Sequence, residues 1–249
     1  MSEDRGVSEV LGYVLVISIV TVTIAVVLTM GIGGLEAAQQ SEEINNMERA
    51  FDVLAYNAQQ LIDERSPHRA TEFRIGDGSV RLGDPIVISV YVDGELIENE
   101  SVTVQPIVYE HQNGAQIVYE SGAVIRSDDA GAHMLSEPRM ADHDDHLIVH
   151  GIRTRASGHS ANQVSESGTM LLRKERIRTD RVFTGVNESS DIELVIESPR
   201  ADAWDHYLES QAFVNGTDLD GEVVTAELTV DEETELSFLR SVLRVTLSE

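Results

Sequence analysis

Nine consecutive residues, Asp142-His143-Asp144-Asp145-His146-Leu147-Ile148-Val149-His150, hold three imidazoles and three carboxylates. Those are the donor types that divalent transition metals take. If the chain from His146 onward runs as a strand, His146 and His150 point to one face and Leu147 and Val149 to the other. His143 can join them from the preceding turn, and His133 and His159 are nearby in sequence. His143, His146 and His150 are therefore the candidate metal ligands; the competing reading is a solvated loop of a kind ordinary in a strongly acidic chain. Asp218-Leu219-Asp220-Gly221-Glu222 offers calcium-type oxygens but lacks the ligand spacing of a calcium loop, so it reads as a tight turn. No Gly-x-Ser-x-Gly, no His-Glu-x-x-His and no glycine loop ending in Lys-Ser/Thr occurs, which removes the common hydrolase, metalloprotease and nucleotide signatures. The absence of cysteine removes thiolate ligands and thiol nucleophiles as well. No enzymatic activity and no cofactor are expected. Three Asn-x-Ser/Thr sequons, at Asn99, Asn187 and Asn215, are candidate glycosylation sites.

The chain that must position these groups carries 44 acidic and 18 basic residues, a net charge of −26. Of the basic residues only Lys174 is lysine; the others are arginine. Dense carboxylates with almost no lysine suit a protein that works in molar salt, where repulsion is screened over roughly 3 Å. The same balance speaks against nucleic acid, which requires a basic stripe. The longest basic run, Arg173 to Arg178, is interrupted by Glu175 and Ile177 and reads as one solvated strand face.

From Val10 to Leu35 the 26 residues include no charge and are rich in Val, Ile, Leu, Thr and Ala. About 20 apolar residues suffice to cross a bilayer, and a cleavable secretory signal would be shorter and end in a small-x-small site. The segment reads as a transmembrane helix. Beyond the glycines at 31, 33 and 34, apolar residues recur at Ile44, Met47, Phe51, Leu54, Ala58 and Leu61. These spacings of 3 and 4 predict an amphipathic helix ended by Ser66-Pro67. Two uses suit that stripe: packing on the chain's own head, or on the same helix of neighbouring subunits.

Asp4-Arg5-Gly6-Val7-Ser8-Glu9-Val10-Leu11-Gly12-Tyr13 resembles the class III signal of archaeal type IV pilins and archaellins. Arg5 to about Arg69, including Gly31-Ile32-Gly33-Gly34-Leu35 and Asn45 to Leu54, resembles a haloarchaeal pilin-like family of uncharacterised function. The resemblance implies that a prepilin peptidase cuts between Gly6 and Val7, that the helix stays with the mature protein, and that Glu9 pairs with the amino group of Val7 in a neighbour during assembly. It departs from the pattern in its leader, which sets one basic residue beside two acids; an uncleaved signal anchor is the alternative.

After Thr71 the period becomes two. Ile86–Val92 followed by Asp93-Gly94 is a hairpin signal. Pro106–Glu110 and Gln116–Glu120 flank Asn113-Gly114, and a two-residue turn there would set Val108 opposite Tyr119 and Tyr109 opposite Val118. Further strands are expected at Leu147–Arg153, Thr169–Ile177, Ile192–Ile196, Val223–Val230 and Leu236–Leu247. A short helix capped by Ser198-Pro199 should bury Trp204, Tyr207 and Leu208 on one face. The expected class is α+β: a long N-terminal helix, then an antiparallel β-sandwich-like head with one short helix. By residue the expectation is a leader at 1–6, a transmembrane helix at 7–35, an amphipathic extension at 36–66 and an extracellular β-rich domain at 67–249.

These readings converge on a single-pass protein of the cell membrane with its acidic head outside. Its expected partners are the membrane, a prepilin peptidase and other pilin-like subunits. The function expected is that of a minor subunit of a pilus-like structure, used in adhesion or surface contact. The alternative is a monomeric signal-anchored domain that binds a ligand or cell-wall component; a tethered metal-dependent enzyme is a third.

Overall fold

The computed structural model describes residues 3–63, 68–97, 101–143, 146–158, 163–164, 168–230 and 234–248. Its first element, α1, runs Glu3–Asp63. Glycines 31, 33 and 34 do not interrupt it. The chain divides into two compact units, Met1–Asn45 and Asn46–Glu249. The first holds α1 as far as Asn45, including its apolar run Val10–Leu35. The second holds the rest of α1 together with the β-rich head, and the class is α+β.

Among the described residues the strands are, in chain order, β1 (His68–Ile75), β2 (Gly78–Leu82), β3 (Ile86–Val92), β4 (Glu95–Leu96), β5 (Val102–Val104), β6 (Ile107–His111), β7 (Gln116–Glu120), β8 (Ala123–Asp128), β9 (Gly131–Ser136), β10 (Ala141–His143), β11 (His146–Ala156), β12 (Gln163–Val164), β13 (Gly168–Val186), β14 (Ile192–Glu197), β15 (Val214–Asp220), β16 (Val223–Leu228) and β17 (Thr234–Ser248). A second helix, α2 (Ala201–Glu209), lies between β14 and β15. The strands form three sheets, in the orders β1-β13-β17-β11-β10, β12-β2-β6-β7-β8-β9 and β15-β16-β14-β3-β4. Among the described residues β11 and β17 pair in parallel, and the other pairings are antiparallel. Residues from all three sheets and α2 meet in one core, among them Val90, Ile125, Leu147, Leu194, Trp204, Val224 and Phe238.

Local chemistry explains the turns. Asp93 and Gly94 both take positive φ, 54° and 76°, the type I′ geometry that two-residue hairpins require. The β6–β7 loop is longer than the two residues expected. His111 N–H donates to Ala115 O at 2.9 Å, as does Gly114 N–H to His111 O, and Gly114 sits at φ 89°. This is a three-residue loop with glycine in the left-handed position. The register therefore moves by one, pairing Tyr119 with Ile107, Val118 with Val108 and Ile117 with Tyr109. The aromatic residues still face β-branched ones, which is the favourable part of the expectation. The expected strand Thr169–Ile177 continues to Val186 through an irregularity between Arg176 and Arg178.

In the second unit the helical stripe packs in cis. Met47, Phe51, Leu54, Ala58 and Leu61 are buried, and each large one contributes about 1.5–3 kcal/mol of burial. Polar ties fix the same segment. Glu48 meets Arg126 at 2.9 Å, Asp52 accepts from Ser136 at 2.5 Å, and Asn57 donates to Thr71 at 3.0 Å. Arg176 donates to the Ile62 carbonyl at 3.0 Å, supplying a cation and a donor where the final helix carbonyls lack partners.

Candidate functional site

The element with the clearest functional chemistry is the apolar part of α1. Val10, Leu11, Val14, Leu15, Ile17, Ile19 and Val20 begin a surface of large exposed hydrophobics that continues to Leu35. The serine and threonine hydroxyls within it are turned back on the helix. Ser18 donates to Val14 O at 2.8 Å, Thr21 to Ile17 O at 2.9 Å, Thr23 to Ile19 O at 2.8 Å and Thr29 to Ala25 O at 2.7 Å. Satisfying polar groups inside the segment is what a hydrocarbon solvent demands. Among the described residues this is one helix long and apolar enough to cross a membrane. Gly6, Val7 and Glu9 fall in its first turns.

The described histidine side chains do not gather into a metal-ligand set. His146 is half-exposed and its Nδ1 lies 3.5 Å from Glu235 Oε1. His150 is buried, and its Nε2 meets Ser241 Oγ at 2.9 Å. Burial pushes the His150 pKa down from 6.5 to about 4, helped by the Arg139 cation and opposed by Asp63. Four residues of strand separate the two Cα atoms by ~13 Å, and the two rings meet different partners, Glu235 and Ser241. They share a face, as the alternation predicts. His143 pairs with His146 in the β10–β11 register; its side chain, Asp144, Asp145 and His159 lie outside the described residues. Among the described residues no three His, Asp or Glu side chains gather as a metal-ligand set. The Asp218–Glu222 segment is the expected tight turn: Asp220 pairs with Val223 across Gly221-Glu222. Of the sequons, Asn99 lies outside the described residues, Asn187 follows β13 in a turn and Asn215 lies in β15.

The most concentrated buried polar chemistry is at a residue the sequence did not single out. Glu120, 0% exposed, ends β7. Its Oε1 accepts from Ser198 Oγ at 2.9 Å and from Trp204 Nε1 at 2.6 Å. Its Oε2 accepts from Arg200 Nε at 2.8 Å and Nη2 at 2.7 Å. A buried charge is tolerable only when paired and fully hydrogen-bonded, and here both conditions hold. Ser198, Arg200 and Trp204 are buried too, so the cluster clamps α2 to the sheet and has no open face for a substrate. Ser198 thus gives its hydroxyl proton to Glu120 while its Oγ accepts the Arg200 N–H at 3.1 Å; the N-cap of α2 is Arg200, not Ser198 as expected. Trp204, Tyr207 and Leu208 are buried on one face as the spacing predicts.

The class defined by these features is an α+β protein with an N-terminal helix able to serve as a single-pass anchor and a β-rich head. Residues 5–246 match the family of unknown function DUF7289, and the chain belongs to that family. No curated protein and no solved structure matches it.

Proposed function

We propose that this chain is a pilin-like surface protein, held in the membrane by α1, with its acidic head outside, and acting as a minor subunit of a type IV pilus-like structure in adhesion or surface contact. The observation that carries the anchor is the uncharged Val10–Leu35 segment whose four Ser and Thr hydroxyls are bonded internally. The pilin part rests on the Asp4–Tyr13 signal and on an extended helix leading into a β-rich head. In this reading prepilin peptidase cuts between Gly6 and Val7, and Glu9, costly in lipid unless paired, meets the freed amino group of Val7 in a neighbour. The head is read as sandwich-like because its sheets bury residues in a common core.

One observation favours the second reading, a monomeric signal-anchored domain. Met47, Phe51, Leu54, Ala58 and Leu61 are buried in the chain's own fold, so that stripe is not offered to other subunits. Subunit contacts in a filament would then use other surfaces, such as the exposed Val10–Leu35 run or Val53 and Tyr56. Carbonate extraction of native membranes, with protease added to intact cells, tests the anchor and its orientation. The protein should stay in the pellet and lose its head to the protease; release by carbonate would overturn the anchor.

A further inference from the structure

The sequons at Asn187 and Asn215 differ in what their side chains are doing. After β13, Asn187 opens a tight turn in which Ser190 N–H donates to the Asn187 carbonyl at 2.9 Å and Asn187 N–H donates to Ser190 Oγ at 3.2 Å. Asn187 Oδ1 accepts twice from the third residue of its own sequon: from Ser189 N–H at 2.9 Å and from Ser189 Oγ–H at 2.5 Å. With Oδ1 held, Nδ2 is the end of the amide left to face outward, and Asn187, Glu188 and Ser189 are all exposed. The sequon hydroxyl and the acceptor amide are thus set against each other before any enzyme arrives.

Asn215 is engaged otherwise. It stands at the irregularity between Val214 and Gly216 in the β15–β16 pairing, and its Nδ2 points to Glu227 Oε2 at 3.4 Å. The hydroxyl of its sequon, on Thr217, reaches Glu209 Oε1 at 3.5 Å and not the Asn215 amide. Modifying Asn215 would require its contact with Glu227 to be given up, and Thr217 to leave Glu209 before it could meet the amide.

The surroundings of Asn187 also leave room for a substituent. It borders an open recess of about 470 Å³, lined also by Phe183, Thr184 and Glu235, and that volume lies in the range of small-molecule sites. Phe183 is 50% exposed with the Arg181 guanidinium 5.2 Å from its ring centre. An aromatic face beside polar groups is a surface on which a sugar ring can rest.

We propose that Asn187 is the N-glycosylation acceptor that the folded head presents, in preference to Asn215. Its Nδ2 attacks the anomeric carbon of a sugar carried on a polyprenyl phosphate donor. A C–N bond forms, the C–O bond to phosphate breaks, the phosphate leaves with the electron pair, and the amide proton passes to a base of the membrane transferase. No oxidant or reductant is involved. The inference rests on the surface reading above, since the donor and transferase face outward.

Trypsin separates the sequons cleanly: Asn187 falls on the peptide Val182–Arg200 and Asn215 on Ala201–Arg240. Mass analysis of the full chain from the membranes of the cells that make it should find sugar mass on Val182–Arg200 and none on Ala201–Arg240. S189A should return Val182–Arg200 to its unmodified mass, and S189T should keep the sugar. A bare Val182–Arg200 overturns the inference, as does sugar on Ala201–Arg240 alone. Protease added to intact cells separates the two failures. A bare peptide from an externally cleaved head refutes the Asn187 assignment only, and a bare peptide from a protected head refutes the surface reading as well.

Discussion

His150 makes the stability of the head depend on pH in a way that one substitution can isolate. Its imidazole is buried, with Nε2 on Ser241 Oγ, and burial, reinforced by Arg139 and opposed by Asp63, lowers its pKa from 6.5 to about 4. Below pH 6.5 the unfolded chain takes up a proton that the folded chain refuses, so stability falls with falling pH, and this loss is complete once pH drops below about 4. Between those two pKa values the loss grows to about 3 kcal/mol, at 1.36 kcal/mol per pH unit, and reaches about 2 kcal/mol by pH 5. Trp204, the one tryptophan and fully buried, reports unfolding by its fluorescence. Denaturant titrations of the full chain in detergent, at pH 7 and pH 5, should be run for the native protein and for H150Q. The carboxylates titrate alike in both and cancel. H150Q should lose about 2 kcal/mol less on acidification than the native protein. Equal losses in the two proteins would refute the assignment of a neutral buried His150.

Three further outcomes follow from the packing. E120A strips a buried guanidinium of its partner and leaves the Trp204 and Ser198 donors empty, so it should cost about 3–5 kcal/mol, read in the same titration. L54A should cost about 2–5 kcal/mol, whereas V53A, whose side chain is 51% exposed, should change stability by less than about 0.5 kcal/mol; equal effects would contradict packing of the stripe in cis. R176M removes the donor to the Ile62 carbonyl and should cost about 1–2 kcal/mol, with faster amide exchange confined to the last turn of α1.

What the sequence makes legible is what depends on neighbours along the chain. The uncharged run from Val10 and the Met47–Leu61 spacing report a helix and its buried face because both signals are local. The Asp93-Gly94 turn is legible for the same reason. The β6–β7 register is not, because Asn113-Gly114 serves a two-residue or a three-residue loop equally well and the hydrogen bond from His111 to Ala115 decides between them. The parallel pairing of β11 with β17 joins residues such as His146 and Glu235, far apart in sequence, and no local pattern announces it. Glu120 was the largest omission. Closing Ile117-Val118-Tyr119-Glu120, it looks like a solvated strand end, and only the return of the chain at Ser198, Arg200 and Trp204 buries it. Alternation puts His146 and His150 on one face, but their partners, Glu235 and Ser241, come from β17 far along the chain, and no local pattern names them.

In the proposed function residues 1–6 are a leader removed by prepilin peptidase, and the remaining helix carries the head into a surface structure. Intact N-terminal mass analysis of the protein from native membranes and from sheared surface filaments tests this directly. Processing between Gly6 and Val7 predicts a chain beginning at Val7 and present in the filament fraction. A chain beginning at Met1 or Ser2, confined to membranes, would contradict it and leave a signal-anchored surface domain.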